Sequence, residues 1–276
     1  MDLFTKNIEY IPIYIPDDLF PFEDISISSG TLSVKNNSIT NFPYDPEAFL
    51  PKAPWLSPTK DQLELICSYS KPFSSLNYVT KFFLSDEVLM PLRAYLQEEQ
   101  NKIEPFKEQS EINKILFDTV KLLCDKYYYN EEININGLAI NSPKLETVTY
   151  DSTNQFYLGL HLDSWEGLPL ERRAYSKNRI SINVGNQERY LLFINLPLIT
   201  IANTLGFALN EAKQISRQKL CKIFMSTFPE YPVIRLKIKP NEFYIAPTDN
   251  MIHDGSTIDA VDKVFHYTFR GEFKIY

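Results

Sequence analysis

Short apolar runs separated by turn residues fill the second half of this chain of 276 residues. From residue 133 onward, runs rich in Ile, Val, Phe and Tyr alternate with Gly, Asn and Pro, which is the pattern of β-strands and turns. Helical spacing interrupts this pattern between Leu205 and Phe224, where we expect one amphipathic helix. The sequence therefore predicts a mainly β fold with flanking helices (α+β), and this pattern alone leaves a sandwich and a jelly roll open.

Two pairs of these runs are separated by turn signals. The runs 179–184 and 189–196 flank a Gly-Asn-Gln-Glu tetrapeptide, and the runs 233–239 and 242–246 flank a Pro-Asn dipeptide. Gly and Asn favour the tight turns that join neighbouring antiparallel strands. We expect each pair to form a β-hairpin.

The first 130 residues have a different pattern. Residues 1 to about 55 carry strand and turn signals, and apolar positions typical of helices continue to about residue 128. Thr59 and Gln62 match a capping box, which predicts that a helix begins there. We expect residues 1–130 to be a strand, turn and helical support region and residues 131–276 to be the core, within one compact domain.

Composition limits the partners. The net charge is −7 and the chain has 8 Gly, which disfavours a nucleic-acid surface and a glycine-rich phosphate loop. An odd number of cysteines, Cys67, Cys124 and Cys221, predicts a reducing compartment, so we expect a cytoplasmic protein. The most apolar window, 191–209, is interrupted by polar residues and a proline, so we expect no membrane partner. The oligomeric state stays open.

The chain has three histidines, His161, His253 and His266. His161 precedes Asp163 by two residues at the end of a strand-like run, so the two side chains share a face. An H-x-D tripeptide alone is common by chance, but His253 follows after several further strands (253 − 163 = 90 residues). Two imidazoles and one carboxylate are the ligand set of non-haem Fe(II) oxygenases. His266 is an alternative distal ligand, for which a packing role is preferred.

From about Tyr157 to Phe273 the chain resembles the Fe(II)/2-oxoglutarate-dependent dioxygenase superfamily. The shared pattern is H-x-D, a distal His, and a basic residue on the last core strand, here Arg270. The run 239–247 is similar to that family's approach to the distal His. The resemblance covers less than half the chain, and it departs at Glu272, where many members have Ser or Thr. It implies a double-stranded β-helix, or jelly-roll, core.

The resemblance also implies a site. Fe(II) would be bound by three catalytic residues, His161, Asp163 and His253, with O₂ and 2-oxoglutarate as cosubstrates. The far carboxylate of 2-oxoglutarate needs a cation, and the planar fork of Arg270 suits it, with Thr268 on the same strand face. Asn183 shares another strand face with Arg179 and Ser181 and could bind the substrate or the near carboxylate of 2-oxoglutarate. Lys263 and Arg235 are the alternative cations. An acidic ligand at Asp163 favours hydroxylation or desaturation over halogenation.

Candidate substrate contacts follow the ligands along the chain. Loops on rigid scaffolds commonly carry recognition, which points to Trp165, Arg172, Arg173 and Tyr175. Arg179, on the strand that follows the loop, is a fifth candidate because its face could line the cavity. An arginine pair there suits an acidic group such as an amino-acid carboxylate. The expected activity is hydroxylation of an unactivated C–H in a small molecule, an amino acid or its derivative that is free, carrier-bound or in a peptide.

Two other classes remain open at this point. One is a cupin-like metal enzyme that does not use 2-oxoglutarate, for which the role of Arg270 would be lost. The other is a non-catalytic jelly-roll binding protein in which the histidines are incidental.

Overall fold

The computed structural model describes residues 8–15, 22–36, 42–70, 76–100 and 133–273. Within these ranges there are sixteen strands: β1 (Ile13–Tyr14), β2 (Ile25–Ser28), β3 (Thr31–Ser33), β4 (Phe49–Pro51), β5 (Trp55–Leu56), β6 (Cys67–Ser68), β7 (Thr80–Phe83), β8 (Asn134–Asn141), β9 (Tyr150–Asp151), β10 (Phe156–Tyr157), β11 (Asn178–Asn183), β12 (Arg189–Phe193), β13 (Ile234–Ile238), β14 (Glu242–Ala246), β15 (His253–Ser256) and β16 (Val264–Gly271).

The helices of the same ranges are short. They are α1 (Lys60–Ile66), α2 (Asp86–Gln100), α3 (Leu198–Thr204), α4 (Leu209–Ala212) and α5 (Arg217–Thr227), with 3₁₀ turns at Phe22–Asp24, Val34–Asn36 and Leu170–Tyr175. Among them, none has both the length and the apolar character needed to cross a bilayer. The predicted capping box is confirmed, because Thr59 and Gln62 bond reciprocally at the start of α1. The predicted helical pattern at residues 101–128 lies outside the described residues.

Two five-stranded antiparallel sheets form the centre of the molecule. The first has the order β7-β14-β11-β16-β8 and the second has the order β15-β12-β13-β2-β5. The class predicted from the sequence, mainly β with flanking helices, is confirmed at this level. Strands β2, β5 and β7 come from the predicted support region, and they extend both sheets, so the division at residue 130 stays a prediction.

Both predicted hairpins are wrong. Strands β11 and β12 lie in different sheets, and so do β13 and β14. Both connections therefore cross between the sheets. At the first crossing, the side chain of Asn183 at the end of β11 donates to the carbonyls of Gln187, in the connection, and Ile238, in β13 of the second sheet. Asn241, with φ of +69°, turns the chain back toward the first sheet. A turn signal specifies a reversal of direction and does not specify the partner of the strand that follows.

The single helix predicted between Leu205 and Phe224 is also wrong. Gly206 takes a φ of +78° and ends the preceding helical turn, and α4 is complete within four residues. A new helix, α5, begins after Ser216, whose side chain accepts a hydrogen bond from the N–H of Lys219. The apolar spacing is helical across the whole region, but these two local signals divide it.

Strand alternation separates an apolar outer face from a mixed inner one. On β11, Ile180 and Ile182 pack outward with Leu89 and Leu92 of α2, which covers the first sheet. Helices α3 and α5 cover the second sheet in the same way, through a cluster that includes Leu192. Residues 179, 181 and 183 therefore face the space between the sheets.

The inner apolar packing fixes how the two sheets face each other. Leu191, Phe193 and Leu236 of the second sheet cluster with Tyr244 and Ala246 of the first. Burial of these side chains supplies the main driving force that holds the sheets together.

We predict that Leu236→Ala lowers the free energy of unfolding by about 2–5 kcal/mol, because the truncation leaves a cavity between the sheets. Leu236 is 0% exposed, whereas Leu56 on edge strand β5 of the same sheet is 54% exposed. Leu56→Ala is the matched control and should change stability by about 0.5 kcal/mol at most. Urea denaturation measures both, and equal losses would contradict this account of the core.

Candidate metal centre

The backbones of His161 and His253 are joined directly. The N–H of His161 donates to the carbonyl of His253 at 3.0 Å, and the N–H of His253 donates back at 2.7 Å. Residues paired in this way project their side chains on the same side, and the two ring centroids are 4.9 Å apart. Two segments about 90 residues apart in sequence are thus fixed in register at the site (253 − 161 = 92).

Each imidazole is oriented by a carbonyl two residues earlier. Nδ1 of His161 lies 2.9 Å from the carbonyl of Gly159, and Nδ1 of His253 lies 3.2 Å from that of Met251. A carbonyl only accepts, so each Nδ1 donates, which leaves each Nε2 as the ring atom that a metal would bind. Gly159 has φ of +71°, and an added Cβ would lie 2.6 Å from a backbone oxygen of Phe49, so glycine is required there.

Both Nε2 atoms face the carboxylate of Asp163. Nε2 of His161 is 3.8 Å from Oδ1, and Nε2 of His253 is 3.6 Å from Oδ2. One ligand atom from each of the three residues lies within 4.8 Å of the others, and the group is the one such cluster of His, Cys, Asp or Glu in the described ranges. The buried Nε2 of His253 has no hydrogen-bond partner among these residues. Two nitrogens and one carboxylate fit Fe(II), and an unpaired buried nitrogen is what such a ligand requires.

The electrostatic field at the site favours positive charge. Burial raises the pKa of Asp163, but Arg179, His253 and His161 outweigh this and hold it well below its usual range. Burial alone would lower the pKa of His161, yet the carboxylates of Asp163 and Asp254 raise it to about 10. Burial lowers the pKa of His253 to about 4, so its imidazole is neutral. A cation at this point would take the place of the proton held by His161.

Two guanidinium groups contact the same carboxylate. Arg179 lies 2.8 Å from Oδ2 of Asp163, and Arg270 lies 3.7 Å from it. These residues are partners in register on β11 and β16. Arg179, a predicted substrate contact, therefore lies beside the candidate metal ligands.

Arg270 has a second and closer acid partner, which the sequence reasoning missed. Its guanidinium lies 2.7 Å from Oδ1 of the buried Asp249, so its charge is already balanced. Its role toward a cosubstrate stays a prediction. Of the alternative cations, Arg235 stacks 4.3 Å from the ring of Trp55, and Lys263 is exposed.

The inward-facing residues of β11 form a row that begins beside the candidate metal ligands and ends at the crossing to β12. Arg179 contacts Asp163, Ser181 accepts a hydrogen bond from Arg189 at 2.9 Å, and Asn183 donates to two carbonyls at the crossing to β12. Thr268 is the partner of Ser181 in register on β16. Asn183 thus anchors the connection, and its cosubstrate role stays a prediction.

Arg189 is the functional candidate that the sequence reasoning did not single out. Its guanidinium is buried between the sheets, and in the part of the chain that the structure describes no carboxylate forms an ion pair with it. It approaches β15 closely, since an added Cβ on Gly255 would lie 3.2 Å from one of its nitrogens. The available signal was a lone arginine opening a strand that is otherwise Tyr190, Leu191, Leu192 and Phe193.

His266 lies outside the ligand cluster. It is in register with Asn183, and burial, followed by the charges of Arg189 and Arg179, holds its pKa well below the usual value. This placement agrees with the packing role that the sequence favoured.

The loop after the ligands divides the remaining predicted substrate contacts. Trp165 is 60% exposed and Tyr175 is 69% exposed, and the ring of Trp165 lies 5.8 Å from the guanidinium carbon of Arg270. Arg172 is exposed as well. Arg173 is different, since its guanidinium is buried beneath the loop.

The guanidinium of Arg173 forms hydrogen bonds within the protein. It donates to the carbonyls of Leu168, Asp163 and Asp249, and to the hydroxyl of Ser164. With these acceptors inside the fold, its guanidinium cannot serve a substrate. The structure corrects that assignment and makes Arg173 the anchor of the loop.

No protein-family model and no curated protein matches the chain. Among solved structures, it is similar to the Kdo hydroxylase KdoO, described as a non-heme Fe(II) alphaketoglutarate dependent dioxygenase, in complex with cobalt(II). The identity is 14%, the TM-score is 0.38, and the match covers 71% of this chain and 80% of that one. The KdoO complex with alphaketoglutarate and Fe(III) gives the same identity and TM-score, with 71% and 79% covered.

A second similar structure is the acireductone dioxygenase from Bacillus anthracis with a cadmium ion in its active centre. The identity is 8%, the TM-score is 0.30, and 72% of this chain and 78% of that chain are covered. KdoO is described with the cofactor and cosubstrate of the superfamily that the sequence resembles.

We predict that Arg173→Met lowers the free energy of unfolding by about 3–5 kcal/mol, because it leaves the carbonyls of Leu168, Asp163 and Asp249 without the guanidinium that donates to them. The neighbouring Arg172→Met is the matched control and should cost about 0.5 kcal/mol at most, since Arg172 is exposed. Denaturant unfolding measures both variants. Similar losses at the two positions would contradict the anchoring role.

Proposed function

We propose that the chain is an Fe(II)- and 2-oxoglutarate-dependent dioxygenase that hydroxylates an unactivated C–H of a small molecule. The observation that carries the proposal is the cluster of His161, Asp163 and His253, whose ligand atoms lie within 4.8 Å of one another. Two imidazoles and one carboxylate leave open positions on the metal for a cosubstrate and O₂.

We further propose that the two sheets form a double-stranded β-helix. The chain crosses between the sheets from β11 to β12, from β13 to β14, from β14 to β15 and from β15 to β16, while β12 and β13 pair within the second sheet. The segment of His161 adds to the edge of the second sheet beside β15. This order supports a jelly roll over a sandwich built from hairpins.

The bound metal and cosubstrate supply the difficult chemistry, namely activation of O₂ coupled to decarboxylation of 2-oxoglutarate. The chain supplies geometry and charge. His161 and His253 present Nε2, because each Nδ1 is held by a carbonyl. Arg179 holds Oδ2 of Asp163, which limits how that carboxylate turns toward the metal. Apolar residues between the sheets exclude water from the inner side of the site.

The far carboxylate of 2-oxoglutarate has two candidate partners. The sequence favoured Arg270, with Thr268 beside it, but Asp249 already balances the charge of Arg270. We propose Arg189 as the partner, because a buried guanidinium without an acid is costly until an anion binds. Its nitrogen approaches Gly255, two residues or about 7 Å along the strand from His253. That spacing suits a five-carbon dicarboxylate whose 2-oxo end binds the metal, with Ser181 and Thr268 between.

The substrate would bind at the loop after the ligands. Trp165 and Tyr175 present exposed rings there, Arg172 is free in solvent, and part of Arg179 is accessible beside Asp163. Aromatic rings with a nearby cation suit a small molecule that bears an acidic group. We therefore keep an amino acid or amino-acid derivative, free, carrier-bound or within a peptide, as the proposed substrate class.

We predict that His161→Ala and His253→Ala each abolish tight binding of Fe(II). The loss of affinity should exceed the roughly 10–100-fold that follows when a residue that only contacts a metal ligand is removed. His266→Gln is the matched control and should retain the metal, since that histidine lies outside the cluster. Anaerobic Fe(II) titration of the purified variants measures the affinity. Undiminished binding in both alanine variants would remove the basis of the proposed function.

Succinate release tests the cosubstrate. The wild-type protein with Fe(II), ascorbate and 2-oxoglutarate should release succinate, faster when a true substrate from an amino-acid and peptide screen is present. Metal binding without any consumption of 2-oxoglutarate would favour the cupin-like alternative, and absence of metal binding would favour the non-catalytic one.

We predict that Arg189→Met weakens 2-oxoglutarate binding to the metal-loaded protein by about 2 kcal/mol or more, roughly 30-fold, because a buried charge pair is lost. Arg270→Met should weaken it less, since that guanidinium is paired with Asp249. Calorimetric titration with 2-oxoglutarate measures both, after unfolding experiments verify that each variant is folded. The reverse order would return the assignment to Arg270.

A further inference from the structure

Asp254 is a fully buried carboxylate whose two oxygens have different surroundings. Oδ1 accepts hydrogen bonds from the N–H groups of Val148, Thr149 and Gly255 and from the hydroxyl of Thr149, at 2.7 to 3.2 Å. Four donors on one oxygen leave the carboxylate no freedom to turn. The direction of Oδ2 is therefore fixed by the backbone around it.

The second oxygen has no hydrogen-bond donor within the described ranges. It lies 3.4 Å from Nδ1 of His161, on the side of the ring opposite the metal-facing Nε2. Asp254 directly follows His253 in the chain, yet its carboxylate lies beside His161, which is 93 residues earlier (254 − 161 = 93).

The two histidines are therefore unequal. Nδ1 of His253 faces the carbonyl of Met251, whereas Nδ1 of His161 faces both the carbonyl of Gly159 and an anionic oxygen. A carboxylate behind a metal-bound imidazole fixes its ring and raises its basicity as a ligand. The charge of Asp254 is tolerated in the interior because the guanidinium groups of Arg179 and Arg189 act on it.

We propose that Asp254 is a positioning residue of the metal centre, which holds the ring of His161 and makes His161 the stronger of the two imidazole ligands. This proposal rests on the metal centre proposed above and adds an assignment to it. It also explains why the protein buries a carboxylate oxygen that no donor satisfies. A metal-bound imidazole is the partner that this oxygen requires.

Asp254→Asn tests the assignment with Co(II) alone as the probe. The amide oxygen retains an acceptor for the four donors, while the amide N–H groups face the N–H of His161, so an attractive contact between an N–H and a carboxylate oxygen becomes a contact between two donors. We expect Co(II) affinity to fall about 10–100-fold. Asp262→Asn is the matched control, because it makes the same change at an exposed aspartate, and its Co(II) affinity should equal that of the wild type.

The outcomes separate this proposal from the proposed function. If His161→Ala loses Co(II) while Asp254→Asn binds it as tightly as the wild type, the metal centre stands and the role of Asp254 is overturned. Lower thermal stability of Asp254→Asn with unchanged affinity has the same meaning. If neither the wild type nor His161→Ala binds Co(II), the metal centre itself fails.

A measurement on the unaltered protein covers the case in which Asp254→Asn does not fold. In the Zn(II)-loaded wild type, the ¹⁵N resonance of Nδ1 of His161 should be shifted from that of His253 toward the value of a deprotonated ring, because only His161 faces a carboxylate. Identical Nδ1 resonances for the two ligands would overturn the proposal.

Discussion

A carboxylate removed from water needs compensating partners, and the site depends on how Asp163 is compensated. Its oxygens are approached by two imidazoles and by the guanidinium groups of Arg179 and Arg270. These groups come from β11, β15, β16 and the segment of Asp163 itself, so they meet only when both sheets are in place. An unpaired charge at this position would be costly, which links formation of the site to formation of the fold.

The alternation of side chains along β11 determines which of its residues face the space between the sheets. Because Ile180 and Ile182 must pack under α2, residues 179, 181 and 183 have to face the interior. Polar residues at those three positions consequently become a row that runs from Asp163 through Arg189 to the crossing into β12. The packing of Ile180 and Ile182 on the opposite face of β11 is sufficient to place this row.

The three residues of the candidate metal cluster could be picked out from the sequence because the H-x-D motif is local and the candidate residues are few. With three histidines in the chain and one H-x-D, few combinations of imidazole and carboxylate existed. The partners of the strands were not predictable in this way. The turn after β11 signals a reversal, and only the packing of the two sheets decides that the chain crosses instead of pairing.

The burial of individual arginines was also not predictable from the sequence. Arg172 and Arg173 are adjacent in the sequence and equal in residue type, yet one is exposed and the other is buried under the loop. The 3₁₀ turn at Leu170–Tyr175 decides between them, and so does the position of Asp249, which lies 76 residues further on (249 − 173 = 76). Neither Asp249 nor Arg189 belongs to a recognisable motif. Asp249 is paired with arginines that are distant in the sequence, and whether Arg189 meets a carboxylate also depends on distant residues.

The charges of the interior also constrain how ligands bind. Four buried or nearly buried arginines, Arg173, Arg179, Arg189 and Arg270, share the site and its surroundings with three aspartates, Asp163, Asp249 and Asp254. Asp249 serves Arg173 and Arg270, and Asp163 serves Arg179, which leaves Arg189 near the more distant charge of Asp254. A divalent cation adds two positive charges at one end of the row, and a dicarboxylate adds two negative charges along it. Because the cation also displaces the proton of His161, the two together change the net charge of the interior less than the dicarboxylate alone does, in a medium of low dielectric constant where charges interact strongly. The metal and the dicarboxylate should thus support each other's binding, because each compensates the charge that the other brings into the interior.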